Sequence, residues 1–234
     1  MPKKKPQPPS VKPNLLHGGR ASDRCPRCRN ARNKKDGQKF LHSFPEVTDS
    51  ENLRQALVTV DRNLRQDKEL MKDPAAVFMM GVLEAKIGNR EYFFVASSGR
   101  TPQPWIQDKH LAGISYQKGK WKVVNPGVPD RRDGWWTVQR KQVTLGADIA
   151  GVTRPCSAVK LLLGLGDEKP TWNQVEYLRM SEMVYVGPKA EDTKHMRAWH
   201  GEGATNSWTA HSCDACEARI PYLICDVPDN RFTD

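Results

Sequence analysis

The sequence has no segment of the kind that marks a membrane protein or a secreted protein. No apolar run approaches the roughly 20 residues that span a bilayer, and the first residues are rich in lysine and proline where a secretion signal has an apolar core. We therefore expect no membrane partner, no cleavable signal peptide, and a location in the cytoplasm or nucleus of the cell in which the protein acts. Cysteine is also scarce, with six in 234 residues, and two Cys-x-x-Cys pairs in such a chain indicate metal ligands rather than disulfides.

Most of the chain also has no excess of positive charge. The formal net charge is +10, and residues 1–41 hold twelve lysines and arginines against two aspartates, so the excess lies entirely in this segment. We divide the sequence into a basic, proline-rich N-terminal arm (1–41), which contains one Cys-x-x-Cys knuckle, and a body (42–234). A basic arm favours contact with a polyanion. A solubilising or nuclear-targeting tail is the alternative, with Pro2–Pro6 as an unspecific candidate.

Hydrophobic spacing in the body predicts an α/β fold. Apolar residues at helical spacing after Asp49-Ser50 predict a helix over 51–71 with a polar N-cap. Residues 76–85 and 91–97, joined by a turn at 87–89, predict a β-hairpin. The rest of the pattern predicts a helix over 156–163 closed by glycines at 164–166, a buried strand over 175–186, and a helix over 216–224. Two helices on one face of a sheet can bring their N-termini together.

Three cysteines have the spacing of a zinc site with one open position. Cys156 stands at a predicted helix start, and Cys213 and Cys216 lie three residues apart on one predicted turn. Zinc accepts thiolates in tetrahedral geometry, and three protein ligands leave the fourth position for water. Helix N-termini suit such ligands because the unpaired amides and the helix dipole stabilise the thiolate. The sequence therefore predicts a Zn²⁺ site made by these three cysteines, and its open position predicts catalysis.

Residues 154–163 and 207–225 resemble the zinc-dependent nucleic-acid cytosine deaminases of the cytidine deaminase superfamily, in particular the toxin-like branch. The likeness is carried by Arg-Pro-Cys-Ser-Ala-Val-Lys-Leu-Leu and by Cys-x-x-Cys-x-x-x-x-Pro-x-Leu-x-Cys, in the order that the deaminase signature requires. The resemblance implies a three-layer fold, with a central mixed sheet flanked by helices, and hydrolysis of cytosine to uracil by a zinc-activated water. DNA is favoured over RNA as the partner, and an inhibitor or immunity protein is expected as well if the chain is a toxin.

The position of the proton-shuttling carboxylate departs from this pattern. Two residues after Cys156, where the resemblance implies glutamate, the chain has Ala158. Loss of one general acid and base removes a factor of about 10² to 10⁴ in rate. We interpret the chain as an inactive form in which alanine replaces that glutamate so that substrate is held without turnover, with a naturally inactive enzyme as the alternative.

Four residues are candidates for substrate binding. Trp208 is placed to stack on a flipped base, and His211 lies beside the second metal segment. Ser97 and Ser98 end the second strand of the predicted hairpin, and in the resembled fold they point towards the pocket. Core packing for Trp208 and a solvated histidine for His211 are the alternatives.

A non-enzymatic function uses a different set of thiols. In this alternative the chain is a nucleic-acid-binding module, and its structural zinc is held by Cys25, Cys28, Cys213 and Cys216. That set leaves Cys156 without a role. A second zinc held by Cys25 and Cys28 with His17 or His42 is compatible with either function.

Overall fold

A computed structural model of the chain has an α/β fold in which helices pack on a mixed central sheet. It describes residues 47–100, 104–146, 149, 151–172, 175–190 and 214–227, together with the backbone of 16–17, 35–36, 39–40 and 208–210. Most of the basic arm lies outside these residues, so the division at residue 42 stays a prediction. No helix in the described part of the chain is long and apolar enough to cross a bilayer.

In the described part of the chain, the central sheet has seven strands: β1 (Leu16–His17), β4 (Val47–Thr48), β5 (Val77–Ile87), β6 (Arg90–Ser97), β7 (Lys122–Val123), β10 (Val175–Val186) and β11 (Trp208–Ala210). Along the sheet the order is β1-β4-β10-β5-β6-β7, and β11 pairs with β10 outside this path. Most neighbours are antiparallel, whereas β4 with β10 and β6 with β7 are parallel. Two small sheets are made by β2 (Lys35–Asp36) with β3 (Lys39–Phe40) and by β8 (Trp135–Trp136) with β9 (Gln142–Val143).

The predicted hairpin and the predicted buried strand form the middle of the sheet. β5 and β6 meet at a turn in which Gly88 takes a φ of 57°, a value that suits glycine. β10 then pairs with β5 from Val175 opposite Ile87 to Val186 opposite Val77. Both strand predictions are confirmed, and these three strands are the frame on which the helices pack.

Helix α1 (Glu51–Leu64) begins where the sequence predicts and ends earlier. The Leu53 N–H donates to Ser50 Oγ at 3.3 Å, which confirms the polar N-cap. Beyond Leu64 the chain has only polar residues until Leu70, so no apolar side chain is available to continue the buried face. The helix therefore stops, and a short 3₁₀ turn (Leu70–Lys72) replaces its predicted last part.

A hydrogen-bonded pair, Asp67 and His110, connects the segment after α1 to a later 3₁₀ turn, Asp108–Leu111. His110 Nε2 lies 2.8 Å from Asp67 Oδ2, while His110 Nδ1 accepts from the Gln107 N–H. Burial raises the pKa of Asp67, but hydrogen bonds from Lys109, the Glu69 N–H and His110 outweigh it and lower the pKa to about 2. This pair stabilises the layer on the α1 side of the sheet.

Side chains of the sheet alternate between two cores. On β5, Leu83 and Ala85 pack with α2 (Ser157–Asp167) and α3 (Asp214–Leu223). Met80 and Val82, which point to the other face, pack with α1. The molecule therefore has helices on both faces of the sheet, and the two helices that carry predicted zinc ligands share one face.

The glycines of α2 have a role that differs from the predicted one. Gly164 and Gly166 lie inside the helix and do not close it. A Cβ at Gly164 would approach Val124 Cβ to 2.9 Å, and a Cβ at Gly166 would approach the carbonyl oxygen of Val138 to 2.8 Å. These glycines allow the loops that contain Val124 and Val138 to pack directly on α2. Their role therefore depends on residues far away in sequence.

Candidate metal centre

Cys156 is the N-cap residue of α2, as the sequence predicts. Its backbone is extended, with φ −73° and ψ 149°, and its side chain is half-buried. The helix starts at Ser157, so the sulfur lies at the end of α2 where the unpaired amides favour an anion. This placement suits a thiolate ligand.

Cys216 lies in the first turn of α3 and is almost completely buried. Arg219 follows three residues later, which places its side chain on the same face of the helix. Its guanidinium is fully buried, an unusual location for a charge. The pair brings a thiol and a cation together within one turn.

The sulfurs of Cys156 and Cys216 converge on this one guanidinium. Arg219 Nη2 lies 2.8 Å from Cys156 Sγ and 3.6 Å from Cys216 Sγ. The two sulfurs can therefore be no further apart than the sum of these distances, although sixty residues separate them in the chain. Two cysteines from different helices thus meet at one point, as a shared metal ligand set requires.

Backbone carbonyls hold Arg219 in place. Nε donates to Ala215 O at 2.9 Å, and Nη1 donates to Val152 O at 3.1 Å and to Arg154 O at 2.8 Å. The guanidinium carbon also lies 5.5 Å from the centroid of the Trp135 ring. The arginine is fixed on several sides, so it can act as a rigid donor to the two sulfurs.

The charges of this cluster are coupled. Burial lowers the pKa of Arg219, but the neighbouring sulfurs of Cys156 and Cys216 outweigh it and hold the pKa above its ordinary value. In return, a permanent cation favours the thiolate form of both cysteines. Because thiolates are ligands that zinc prefers, the residues present fit a zinc centre.

A second polar contact fixes the first turn of α2 to the sheet. The Ser157 hydroxyl donates to Glu182 Oε1 at 2.7 Å, and both side chains are buried. Gly81 lies below them, and a Cβ there would approach Leu161 Cδ1 to 2.8 Å. The missing side chain lets α2 sit close to β5, which sets the height of Cys156 above the sheet.

A pocket of about 430 Å³ is lined in part by Pro155, the residue before Cys156. Lys160, one turn after Cys156 on α2, also lines it. Lys160 is 3% exposed, and its Nζ donates to Gly99 O at 2.8 Å and to Asn125 Oδ1 at 2.6 Å. Burial lowers the pKa of this lysine below its ordinary value, and the nearby Cys156 offsets only part of that effect. The pocket therefore places a buried cation next to the candidate metal ligands.

Ala158, Ser97 and Ser98 are the other predicted site residues that the structure describes. Ala158 is fully buried in the second residue of α2, within the core on that face of the sheet. Ser98 Oγ accepts from the Met79 N–H at 2.9 Å. Ser97 pairs with Met80 and lies on the α1 face, where its hydroxyl has no hydrogen-bond partner within the described ranges. Ala158 therefore lies in the core on the α2 side of the sheet, Ser97 lies on the α1 face, and Ser98 lies just beyond the end of β6.

The remaining predicted residues lie outside the described part of the chain. They are Cys25, Cys28, His211 and Cys213, and for Trp208 only the backbone is described, in β11 opposite Val184. Groups of three or more metal-ligating side chains are absent from the residues that the structure does describe. The third ligand of the predicted set therefore stays a prediction.

The sequence pattern did not single out Arg219 and Lys160, although both have a local signal. Arg219 follows Cys216 by three residues and Lys160 follows Cys156 by four, so each shares a helix face with a predicted ligand. The spacing does not indicate that these side chains are buried, because their burial depends on Trp135 and on the loop around Asn125, which are distant in sequence. Glu182 was also missed, since one acidic residue in a strand is usually exposed.

Comparisons with protein-family models, with curated proteins and with solved structures found no match to this chain. The assignment of the metal centre therefore depends on the residues and geometry described above.

Proposed function

We propose that this chain is a zinc-dependent cytosine deaminase domain that acts on nucleic acid, with DNA favoured over RNA, in a form made inactive by Ala158. The observation that carries the proposal is the convergence of the Cys156 and Cys216 sulfurs on Arg219. A four-cysteine structural site would need Cys216 to meet Cys25 and Cys28, and it gives Cys156 no reason to lie beside Cys216.

The architecture supports the same proposal. We assign it to the cytidine-deaminase-like three-layer fold because the hairpin β5–β6 precedes α2, and because α2 and α3 pack on one face with their first turns in contact with the same arginine. In this assignment Cys156, Cys213 and Cys216 hold the metal. When bound, zinc supplies a Lewis acid that activates water for attack on the base.

The other residues have roles that follow from their contacts. Arg219 orients the two sulfurs and offsets negative charge, since three thiolates around a divalent ion leave a net charge of about −1. The Ser157–Glu182 hydrogen bond holds the first turn of α2 on the sheet. Ala158 occupies the second helical position, and without a carboxylate there the chain has no group at this position to move a proton between water and base.

Metal analysis tests the ligand set. Cys156→Ala should lose about one equivalent of zinc, as should Cys213→Ala and Cys216→Ala, because a three-ligand catalytic site does not tolerate removal of a ligand. Cys225→Ala is the matched control, since Cys225 is a buried thiol that belongs to neither ligand set. Zinc retained in full by Cys156→Ala but lost by Cys25→Ala would support the structural four-cysteine site and refute the proposal.

Reversion of the missing carboxylate tests the activity. Ala158→Glu should convert cytosine to uracil at a rate about 10² to 10⁴ above that of Ala158→Gln, which has the same size but no carboxylate. Sequencing of mixed DNA and RNA pools after treatment measures the conversion and identifies the strand. A zinc-loaded Ala158→Glu variant that changes no cytosine in single-stranded or double-stranded pools would show that the enzyme assignment is wrong.

A further inference from the structure

The pocket beside Cys156 contains a buried cation that has no ion-pair partner among the described residues. Both oxygens that accept from Lys160, Gly99 O and Asn125 Oδ1, are neutral. A buried ammonium is costly unless an opposite charge compensates it. Something anionic is therefore expected to come close to this side chain.

The candidate metal centre accounts for only part of that compensation. Its three thiolates around a divalent ion give about −1, and Arg219 already contributes a positive charge in direct contact with two of the sulfurs. Lys160 lies one helical turn further on and lines the open pocket instead. Its charge is thus available to a molecule that enters the pocket.

The rim of the pocket carries one charge of each sign. Arg100 lines it and is held by a hydrogen bond from Nη2 to Thr153 O at 2.6 Å, and Asp130 lines it as well. Both side chains are exposed, so water and salt screen both charges. Lys160 is therefore the buried charge among the residues that line the pocket, which at about 430 Å³ is large enough for a sugar-phosphate unit.

We propose that this pocket binds a backbone phosphate of the nucleic-acid strand, next to the base that occupies the candidate catalytic site, and that Lys160 is the residue that recognises it. The inference rests on the proposed function and specifies how the strand is held. Arg100 at the rim assists, and the Asn125 amide keeps the ammonium aimed at the pocket through the hydrogen bond to its Oδ1.

Binding of two matched probes tests the role of Lys160. The probes are a single-stranded DNA of about 12 nucleotides with one cytosine, and the same strand with uncharged methylphosphonates on both sides of that cytosine. Lys160→Met should weaken binding of the charged strand about tenfold and reduce its log–log salt slope by about 0.7. The same substitution should leave binding of the uncharged strand unchanged, because the phosphate that Lys160 contacts is already neutral.

The controls separate a lost contact from a damaged fold. Lys72→Met removes the same charge from an exposed lysine that pairs with Glu69, and it should change affinity less than twofold (about the scatter for a surface charge). Lys160→Arg should retain most of the affinity. An equal loss on both probes after Lys160→Met would mean that the lysine is structural, and it would overturn the proposal.

A second variant tests the pocket without touching the core. Gly127 lines the pocket, and a Cβ added there would meet no atom within 4 Å. Gly127→Asp and Gly127→Asn should therefore both fold. The aspartate should weaken binding of the charged strand about fivefold through repulsion of the phosphate, and the asparagine should not. Equal binding by the two variants would count against the proposal, as would inorganic phosphate bound as tightly as the strand.

These results are distinguishable from failure of the proposed function. A chain that holds zinc on Cys156, and deaminates as Ala158→Glu, but binds both probes independently of Lys160 contradicts only the phosphate site. A chain that holds no zinc on Cys156 contradicts the proposed function itself.

Discussion

Replacement of Arg219 by methionine is the most direct perturbation of the candidate metal centre. Methionine has similar length but no charge and no N–H donors. The substitution removes hydrogen bonds to three backbone carbonyls and to the Cys156 sulfur, all between 2.8 and 3.1 Å. It also leaves two thiolates beside an apolar side chain.

The size of the effect follows from these contacts. Each buried carbonyl left without a donor costs about 1–3 kcal/mol, and removal of one member of a buried charge cluster costs about 3–5 kcal/mol in total. The new apolar side chain recovers part of this loss. We therefore expect Arg219→Met to lower the free energy of unfolding by about 3–5 kcal/mol and to weaken zinc binding about 10- to 100-fold, as for other residues that orient metal ligands.

Two measurements check this prediction. Urea denaturation followed by circular dichroism gives the stability, and competition with a chromophoric chelator gives the zinc affinity. Arg140→Met is the matched control, because Arg140 makes an exposed ion pair with Asp167 and its loss should cost less than about 1 kcal/mol. If Arg219→Met matches this control in stability and binds zinc as tightly as the parent chain, the electrostatic reasoning about the site is refuted.

Three further substitutions test contacts on both faces of the sheet. The pKa of Asp67 is lowered to about 2, so the stability that its ionised form contributes is complete at neutral pH and is lost as the pH falls from about 4 towards 2. Asp67→Asn should therefore lower the free energy of unfolding by about 2 kcal/mol at pH 7, and by progressively less when urea titrations are repeated at lower pH. Gly166→Ala should destabilise the protein by about 1–3 kcal/mol despite the better helix propensity of alanine, because the Cβ meets the Val138 carbonyl, and a gain in melting temperature would contradict the described packing. Ser157→Ala removes the donor to Glu182 and should lower stability by about 2 kcal/mol, whereas an unchanged denaturation midpoint would mean that this hydrogen bond contributes nothing.

Strict periodicity made the central elements predictable. β5 is a dense run of mostly apolar residues, β10 is rich in apolar residues, and α1 repeats its apolar residues at helical spacing after a polar cap, so local sequence alone locates them. The region from 104 to 146 was not predictable. Its strands β7, β8 and β9 have two residues each, which is too short for any alternation to be visible.

The candidate site was predictable to the extent that it depends on spacing. Cys156 at a helix start and Cys216 in the first turn of another helix follow from sequence pattern, and the structure confirms that both lie there. The contact of Cys156 with Arg219 could not be predicted, because it depends on how α2 and α3 pack. The same holds for the glycines of α2, whose close neighbours come from loops more than twenty residues away.

The indole of Trp135 gives the molecule an optical probe of its own. The ring is fully buried, its N–H has no hydrogen-bond partner in the described part of the chain, and the Arg219 guanidinium lies over its face. An indole in such dry surroundings emits at shorter wavelengths than hydrated ones, and its emission responds to a charge above the ring. Light collected at the blue edge of the fluorescence spectrum should therefore follow events at the paired sulfurs without any attached dye.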